Sequence, residues 1–319
     1  MKLEQLISIG RYLRCRKVFR RPLGTHLRLT RARSRPTTIS LRAGGNLHVP
    51  NVKSSRTLFN WLLNKSPNPL PISAEDGVLI FRHQNSSIAL RPIDTDFFTF
   101  EELFLRDAYR LDDHHEPLGD VIDLGANIGL FSVRVAPFAK RVIAIEPVAD
   151  NLAIARRNIQ LASLQSKVTL HERAISDQTD STLRLFLSSS NCGGHSVCRE
   201  HAAQWGSVKY QDVPTLSLPD LFEREGIERC SLLKCDIEGA EFDVFRTVPP
   251  DLLARIDRII MEVHLTVPAW GHQEFRLLCQ KLETCGFSVD HEPIGDSRDG
   301  KKIAFMLFAT NSRVAHGNS

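Results

Sequence analysis

The chain has 319 residues, of which 42% are hydrophobic and 24% are charged. These values are typical of a globular protein and exclude a mainly disordered chain. No apolar run approaches the length of a transmembrane helix, so we expect a cytoplasmic protein. The seven cysteines show neither Cys-x-x-Cys nor paired zinc spacing, a pattern typical of reduced core thiols and not of a disulfide framework.

The net charge of +4 hides a strongly basic N-terminal region. Residues 1–35 contain eleven Lys and Arg against one acid, Glu4, so this region carries +10 and the remainder −6. We interpret residues 1–43 as a basic arm, and the first interpretation of this arm is a solvated tail without a partner. The alternatives are contact of residues 1–35 with an anionic membrane surface, binding to a nucleic acid or an acidic partner, and organelle targeting.

Residues 44–118 form the next predicted segment, an N-terminal extension or lid. Three prolines between residues 67 and 71 indicate a linker, and apolar runs at 78–82 and 88–92 predict two strands. The apolar spacing over 97–109 predicts a helix, which is more typical of core packing than of a substrate gate.

Residues 119–310 have the alternating pattern of a mostly parallel, doubly wound α/β sheet. The predicted strands cover residues 121–124, 142–145, 168–171, 232–235, 256–261, 287–290 and 303–308. The predicted helices cover residues 128–136, 149–161, 218–225, 240–247 and 273–285. Because the last two strands are close in sequence, we expect a seven-stranded sheet that ends in a hairpin, with a single antiparallel strand near one edge. Residues 311–319 are assigned to a tail.

Residues 176–215 interrupt this alternation. Apolar runs at 183–187 and 208–213 flank a loop rich in serine and glycine at 188–196. We interpret the segment as an inserted hairpin whose loop lies over an active site, as such loops commonly do. A surface loop without a function is the alternative.

A glycine turn followed by a downstream acid is the most informative feature of the chain. Gly125 and Gly129 bracket a turn after the predicted strand 121–124, and Glu146 follows the next predicted strand. An acid at that point can accept hydrogen bonds from both ribose hydroxyls of a nucleoside cofactor. Asn127 takes the place of the middle glycine of a dinucleotide-binding turn, and Asn enters left-handed conformations more easily than most residues.

The charge at this turn separates two candidate cofactors. Asp123 lies two residues before Gly125, which we expect to place its carboxylate at the mouth of the site. A carboxylate there would repel a pyrophosphate and attract the ammonium and sulfonium of S-adenosylmethionine. We therefore predict S-adenosylmethionine over NAD. The alternative is a generic α/β turn that binds no ligand.

A second group of polar residues follows the fourth and fifth predicted strands. Asp236 and Glu238 come after the fourth strand, and Glu262 and His264 come at the end of the fifth. In an open parallel sheet, ligands bind beyond the carboxyl ends of the strands. We therefore expect these four residues to form one catalytic rim beside the methyl group that is transferred.

Methyl transfer requires that the acceptor be aligned and lose a proton. His264 is the first candidate for the base because its ordinary pKa lies near neutrality, and Asp236 is the alternative, as base or as an orienting hydrogen-bond acceptor. The same side chains are of the kind that hold Mg²⁺ or a similar hard ion, although we predict no metal. A purely structural role is open for Glu238 and Glu241, since acids are favoured in the first turn of a helix.

With both groups placed, the chain resembles the FkbM family of S-adenosylmethionine-dependent methyltransferases over residues 88–308. The family pattern is echoed at 91–96, 123–129, 146–147 and 213–218, and most specifically in Leu233-Lys234-Cys235-Asp236-Ile237-Glu238-Gly239-Ala240-Glu241. Cys235 replaces the isoleucine that is usual in the family. The resemblance implies a Rossmann-like class I methyltransferase fold and O-methylation, often of sugar or natural-product hydroxyls. The cofactor contacts that we assign with it are Asp123, Gly125, Ala126, Asn127, Gly129 and Glu146.

Three other functions compete with this one. An RNA methyltransferase would give the basic arm a purpose, but the residues after the fourth and fifth strands match neither base-modifying nor ribose-modifying enzymes, so nucleic acid is not the expected partner. A nicotinamide dehydrogenase is disfavoured by the turn spacing, and a non-catalytic module would bind cofactor without turnover. The expected partner is a small-molecule or glycan acceptor, whose identity stays open, as does the oligomeric state.

Overall fold

The computed structural model describes residues 17–21, 36–49, 58–59, 72–83, 86–112, 117–189, 191–204, 206–265, 271–296 and 302–315. Most of the predicted basic arm and the proline-rich linker at 67–71 lie outside the described residues. The chain divides into two compact units, the first comprising Met1–Arg106 with Gln160–Ala162 and the second Asp107–Ile159 with Ser163–Ser319. Among the described helices, none has the length and apolar character needed to cross a membrane.

Among the residues that the structure describes, the first unit has two small antiparallel sheets and a helix. Strands β1 (Thr37–Ser40) and β2 (Asn46–Val49) form a hairpin, and β3 (Ile72–Glu75), β4 (Val78–His83) and β5 (Ser86–Leu90) form a three-stranded sheet. The two strands predicted here are confirmed as β4 and β5. Helix α1 (Asp94–Phe104) begins and ends earlier than predicted, because Asp107 and Arg110 turn the chain with positive φ angles.

A buried ion pair fixes the start of α1. Asp96, in the first turn, is 1% exposed and accepts hydrogen bonds from the Arg91 backbone N–H at 2.8 Å and from its guanidinium at 2.8 and 2.9 Å. Bidentate pairing of this kind is the strong form of an Arg–carboxylate contact. The family-like segment 91–96 therefore has a structural role within the first unit.

The second unit is built on a seven-stranded sheet. The strands of the whole unit, including three that lie outside this sheet, are in chain order β6 (Leu118–Leu124), β7 (Ala139–Ile145), β8 (Val168–His171), β9 (Ala174–Ser176), β10 (Thr182–Ser188), β11 (Val208–Ser217), β12 (Cys230–Cys235), β13 (Arg258–His264), β14 (Phe287–Asp296) and β15 (Lys302–Asn311). The large sheet has the order β14-β15-β13-β12-β6-β7-β8, in which β15 runs antiparallel to both its neighbours and the other described pairings are parallel. The seven predicted strands, the terminal hairpin and the single antiparallel strand are all confirmed.

The helices of this unit follow the predicted alternation. They are α2 (Leu130–Val135), α3 (Ala149–Leu161), α4 (Arg199–Ala203), α5 (Leu218–Arg224), α6 (Glu241–Thr247), α7 (Pro250–Leu253), α8 (His272–Thr284) and α9 (Ser312–Ala315). A hydrophobic core of this unit joins residues of β6, β7, β12 and β13 to residues of α5, α6 and α8. The middle strands are apolar without alternation because residues on both of their faces are buried.

The predicted insertion is a hairpin beside the main sheet. Strands β10 and β11 pair antiparallel from Thr182↔Pro214 to Ser188↔Val208, and β11 continues to pair in parallel with β9. The hairpin confirms the two apolar runs seen in the sequence. Strand β9 and helix α4 were not predicted, because segments of three and five residues are too short to show a period.

Candidate active site

The loop after β6 approaches the end of β12 so closely that it leaves no space for a side chain at Gly125. Gly125, Asn127 and Gly129 have φ angles of 74°, 50° and 77°, so Asn127 does adopt the left-handed conformation that the sequence suggests. A Cβ at Gly125 would lie 1.8 Å from the backbone oxygen of Asp236. The turn therefore places the predicted cofactor loop directly against the first residue of the predicted rim.

Asp123 does not lie at the mouth of the site, which corrects the expectation from the sequence. Its side chain is completely buried, accepts a hydrogen bond from Ser132 Oγ at 2.7 Å, and has Lys234 Nζ 3.4 Å from its Oδ1. The register of β6 and β12 sets Asp123 beside Lys234, which is why a carboxylate is tolerated at this depth. Contact of Asp123 with the ammonium of a ligand stays a prediction.

Lys234 is the buried cation of the site, and the sequence analysis gave it no role. Its Nζ donates to the backbone oxygens of Leu124 at 3.2 Å and Gly125 at 2.6 Å, and lies 3.8 Å from Asp236 Oδ2. Burial lowers the pKa of Lys234, but the carboxylates of Asp123 and Asp236 outweigh burial and raise it above its ordinary value. The sequence signal that could have found this residue is a lysine inside a largely apolar strand.

Glu146 lies at the end of β7 and braces the glycine turn. Its buried carboxylate accepts hydrogen bonds from the backbone N–H groups of Asn127 at 2.8 Å and Val148 at 3.0 Å, and from Asn151 Nδ2 at 3.3 Å. Burial raises the pKa of Glu146 although these hydrogen bonds lower it. Because a carboxylate offers about four acceptor positions, Glu146 has room for one more donor. The predicted ribose contact stays a prediction.

Three buried oxygens near the turn have no hydrogen-bond donor within the described part of the chain. They are Asn127 Oδ1, Asn151 Oδ1 and Asp236 Oδ1, whereas Asp123 Oδ1 has the ion pair with Lys234. Buried polar atoms are nearly always hydrogen-bonded in folded proteins, so this group indicates a ligand rich in donors. S-adenosylmethionine carries an ammonium, ribose hydroxyls and an adenine amino group, whereas a pyrophosphate offers only acceptors. The residues present therefore fit S-adenosylmethionine.

The predicted rim residues are brought together at the ends of β12 and β13. His264 Nε2 lies 3.4 Å from Glu262 Oε1 and 3.5 Å from Glu238 Oε2, and its Nδ1 lies 3.2 Å from Glu241 Oε1. Asp236, Glu262 and His264 each present one nitrogen or oxygen within 4.8 Å of the others. We call Asp236, Glu238, Glu262 and His264 the reactive rim.

Three carboxylates around His264 favour its protonated form. Burial lowers the pKa of His264, but the charges of Glu238 and Glu241 and the hydrogen bonds to Glu241 and Glu262 raise it well above its ordinary value. Because an imidazolium cannot accept a proton, these contacts favour Asp236 over His264 as the base, and both assignments stay predictions. This revises the preference drawn from the sequence, which rested on the ordinary pKa of histidine.

Asp236 is better suited to accept a proton. Burial and the charge of Glu262 raise the pKa of Asp236 well above its ordinary value, although Lys234 lowers it. Burial also raises the pKa of Glu262, but the hydrogen bond and charge of His264 outweigh burial and lower it. A general base is most effective when its pKa lies near the working pH, and among these carboxyls that condition favours Asp236.

The same side chains form a candidate metal site. Asp236, Glu262 and His264 supply two carboxylates and one imidazole, a set that suits Mn²⁺ or Mg²⁺. Glu241 at Nδ1 would orient His264 as carboxylates orient metal-bound histidines. Binding would require loss of the imidazolium proton. No metal was predicted from the sequence, and a metal stays an alternative to direct proton transfer.

Glu241 supports the structural alternative considered from the sequence. Its completely buried carboxylate accepts hydrogen bonds from the backbone N–H groups of Ile237 at 3.2 Å and Gly239 at 3.0 Å. It thereby holds the turn between β12 and α6 as well as contacting His264.

The insertion supplies contacts that the sequence did not single out. Asn151 Nδ2 donates to the backbone oxygen of Cys192 at 3.2 Å, Ser196 Oγ donates to the backbone oxygen of Glu238 at 2.5 Å, and His201 Nε2 lies 2.7 Å from Glu238 Oε2. The loop of the insertion therefore touches both the cofactor turn and the reactive rim, which is the position expected for it.

The seven-stranded sheet with its terminal antiparallel strand has the Rossmann-like fold of class I methyltransferases. Residues 123–289, just over half of the chain, match the sequence model of the methyltransferase FkbM domain. The chain belongs to this family and is a methyltransferase, and the resemblance drawn from the sequence is confirmed. Membership of the family implies the use of S-adenosylmethionine.

Several known proteins are similar to the chain. The AMB antimetabolite synthetase AmbE of Pseudomonas aeruginosa is 26% identical over 52% of this chain, which corresponds to only 9% of the synthetase. Methyltransferase 1 of Beauveria bassiana is 25% identical, covering 60% of this chain and 81% of that protein. The crystal structure of methyltransferase FkbM from Methylobacillus flagellatus KT is 13% identical, covers 66% of this chain and 47% of that one, and has a TM-score of 0.39.

Proposed function

We propose that the chain is an S-adenosylmethionine-dependent O-methyltransferase that acts on a hydroxyl of a sugar or another small molecule. The observation that supports this most is the position of the Asp236 carboxyl, whose Oδ2 lies 3.8 Å from Lys234 Nζ while the same Nζ donates to the Gly125 backbone oxygen at 2.6 Å. It sets a carboxyl group with a raised pKa beside the loop assigned to the cofactor. An alcohol needs such a group because it must lose its proton as the new C–O bond forms.

The cofactor turn is assigned to S-adenosylmethionine, which when bound supplies an electrophilic methyl group on a positively charged sulfur. Asn127, Asn151 and Glu146 are assigned to its nucleoside, because the two amide oxygens lack donors and the carboxylate has one position left. Asp123 is assigned to its amino-acid end. Lys234 keeps this acidic pocket partly neutral and ties it to the carbonyls of the turn.

The reactive rim is assigned to the acceptor. Asp236 accepts the proton of the hydroxyl, and His264, as an imidazolium, keeps Glu262 ionised. The negative charge of Glu262 in turn raises the pKa of Asp236. The four residues therefore act as one electrostatic unit in which a single carboxyl is left ready to take a proton.

The charge of the rim restricts the class of acceptor. The carboxylates of Asp236, Glu238, Glu241 and Glu262 face two cations, Lys234 and His264. An excess of negative charge repels phosphate and carboxylate groups near the reacting hydroxyl. We therefore propose an acceptor that is neutral or cationic around this hydroxyl. This disfavours nucleic acid, while membrane contact through residues 1–35 stays a separate prediction.

Isothermal titration tests the cofactor assignment. We expect the full chain to bind S-adenosylmethionine and not NADH, because the open oxygens of the turn accept hydrogen bonds and repel a pyrophosphate. Binding of NADH instead, or of neither compound, would contradict the assignment.

Methyl transfer from S-[methyl-³H]adenosylmethionine to a panel of neutral, amino and phosphorylated sugars tests the reaction. Asp236→Asn should lower kcat by about 10²–10⁴-fold, the usual contribution of a general base. Asp243→Asn, on the exposed side of α6, is the matched control and should leave kcat unchanged. Full activity of Asp236→Asn would contradict the assignment of Asp236 as the base. Preferential methylation of phosphorylated sugars would contradict the proposed class of acceptor.

A further inference from the structure

One short contact joins the insertion to the reactive rim. His201, on α4, is 3% exposed, and its Nε2 lies 2.7 Å from Glu238 Oε2. The same oxygen lies 3.5 Å from His264 Nε2, and the two imidazole rings meet edge to face with centroids 5.6 Å apart. One carboxylate oxygen therefore bridges two buried histidines from separate parts of the chain.

The surrounding structure holds Glu238 in an unfavourable left-handed backbone conformation. Its φ angle is 52°, which is unfavourable for a residue other than glycine, and such conformations persist where the surroundings impose them. Ser196 Oγ donates to the Glu238 backbone oxygen at 2.5 Å and accepts from the Cys198 N–H at 3.1 Å. The insertion thus holds Glu238 at both its backbone carbonyl and its carboxylate.

The Glu238 carboxylate can move into solvent if its contact with His201 is lost. Its side chain is 19% exposed, so a change of rotamer would bring the carboxylate into water. Glu241 cannot take its place at His264 Nε2, because its buried carboxylate is bonded to Ile237 and Gly239 N–H and already faces Nδ1. The position of Glu238 is therefore the adjustable part of the surroundings of His264.

We propose that His201 is a positioning residue of the active site, which holds the Glu238 carboxylate against His264 and so fixes that imidazole at the acceptor site. This rests on the proposed function, in which the reactive rim lines the acceptor site. It extends that function by making helix α4 of the insertion part of the catalytic centre.

Several charged or titratable groups among the described residues lie near His264. Glu238 and Glu241 face it from the β12–α6 segment, Glu262 from β13 and His201 from α4, with Asp236 and Lys234 on β12 beyond them. His201 acts as a hydrogen-bond donor to Glu238. Removing that donor therefore lets one carboxylate move away from His264 and leaves the other groups in place.

The ¹⁵N shift of His264 Nε2, measured by NMR at one fixed pH on the full chain labelled with ¹⁵N- and ¹³C-histidine, tests the proposal. His201→Phe keeps an aromatic ring without its N–H, and we expect it to move this resonance in the same direction as Glu238→Gln does, because both changes take the Glu238 carboxylate away from Nε2. His201→Gln keeps a donor and should stay close to the wild type. Glu200→Gln, on the exposed side of α4, is the matched control and should have no effect.

A double variant separates positioning from packing. Glu238→Gln should shift the His264 Nε2 resonance by itself, and adding His201→Phe should shift it no further. An unchanged resonance in His201→Phe, a shift opposite to that of Glu238→Gln, or a further shift in the double variant would overturn the proposal. Where His201→Phe fails to fold, the comparison of His201→Gln with Glu238→Gln decides it: a shift in His201→Gln as large as in Glu238→Gln contradicts the proposal.

Titration of each variant with S-adenosylmethionine keeps this inference distinct from the proposed function. We expect cofactor affinity to stay within about twofold of the wild type, because Asn127, Glu146 and Asn151 are not contacts of His201. A wild-type chain that binds no S-adenosylmethionine would contradict the proposed function, whatever the His264 resonance shows.

Discussion

The cofactor turn and the reactive rim adjoin at Gly125 and Asp236, but they handle charge in opposite ways. At the turn each acid is compensated, Asp123 by Ser132 and Lys234, and Glu146 by backbone N–H groups and Asn151. At the rim one imidazolium contacts three carboxylates. The turn is therefore organised to bind, whereas the rim keeps an excess of negative charge beside His264.

This difference indicates where the chemistry lies. Groups with perturbed pKa values concentrate at reactive positions, because burial and unmatched charges are what shift them. The pKa values of Glu146 and Lys234 at the turn are also raised, but in the rim the shifts of Asp236, Glu262 and His264 arise in part from their charges and hydrogen bonds to one another. The rim also depends on the insertion, while the turn is built mainly from the main sheet and its loops.

Removing the cation of the turn should have the largest effect on stability. Lys234→Met leaves Asp123 buried without a positive partner, which we expect to cost about 3–5 kcal/mol of unfolding free energy. Lys167→Met is the matched control, since Lys167 Nζ donates to the backbone oxygens of Ala136, Pro137 and Ala139. Urea unfolding measures both. Equal losses in the two variants would show that the turn does not depend on charge compensation.

Adding a methyl group at the junction of the two regions should have an intermediate effect. The Cβ that Gly125→Ala adds would overlap the backbone oxygen of Asp236, and residue 125 has a φ of 74°. We therefore expect a loss of about 2–3 kcal/mol of unfolding free energy together with weaker S-adenosylmethionine binding. Gly226→Ala has a φ of 59° and no neighbour within 4 Å, and serves as control for the backbone effect alone. If Gly226→Ala is as destabilising as Gly125→Ala, the close approach is unimportant.

The charge of the rim should appear as a pH dependence of stability, the smallest of the three effects. The pKa of His264 is raised in the folded state from 6.5, so its stabilising contribution is complete below that pH and is lost as pH rises through the folded value. The difference in unfolding free energy between wild type and His264→Gln should therefore shrink as pH rises above 6.5. Each unit of elevation corresponds to about 1.4 kcal/mol. Urea unfolding from pH 6 to 9 checks it, and a pH-independent difference would rule out the charged imidazole.

Much of the scaffold could be predicted from local patterns. The apolar runs of β6 and β7, the glycines at 125 and 129 and the acid at 146 lie close together in sequence, and each reports its own backbone environment. Asn127 was assigned a left-handed conformation for a reason intrinsic to its side chain. The loop of the insertion was placed over the site because serine and glycine are typical of such loops.

The prediction that Asp123 lies at the mouth of the site was wrong because burial is not a local property. Its position two residues before the turn is the same in the sequence and in the structure, but Lys234 and Ser132 enclose it from β12 and α2. The preference for His264 as the base was revised for a similar reason. The ordinary pKa of a histidine does not include the carboxylates that the fold brings around it.

The sequence alone determined the sheet, the turn and the family, since these depend on apolar periods, glycine spacing and short motifs that neighbouring residues carry. Only the tertiary structure decided that Asp123 is neutralised by Lys234, that His264 is surrounded by three carboxylates and that His201 reaches Glu238. These contacts join side chains from distant segments, and electrostatic interactions depend on distance in space and on burial, not on separation along the chain.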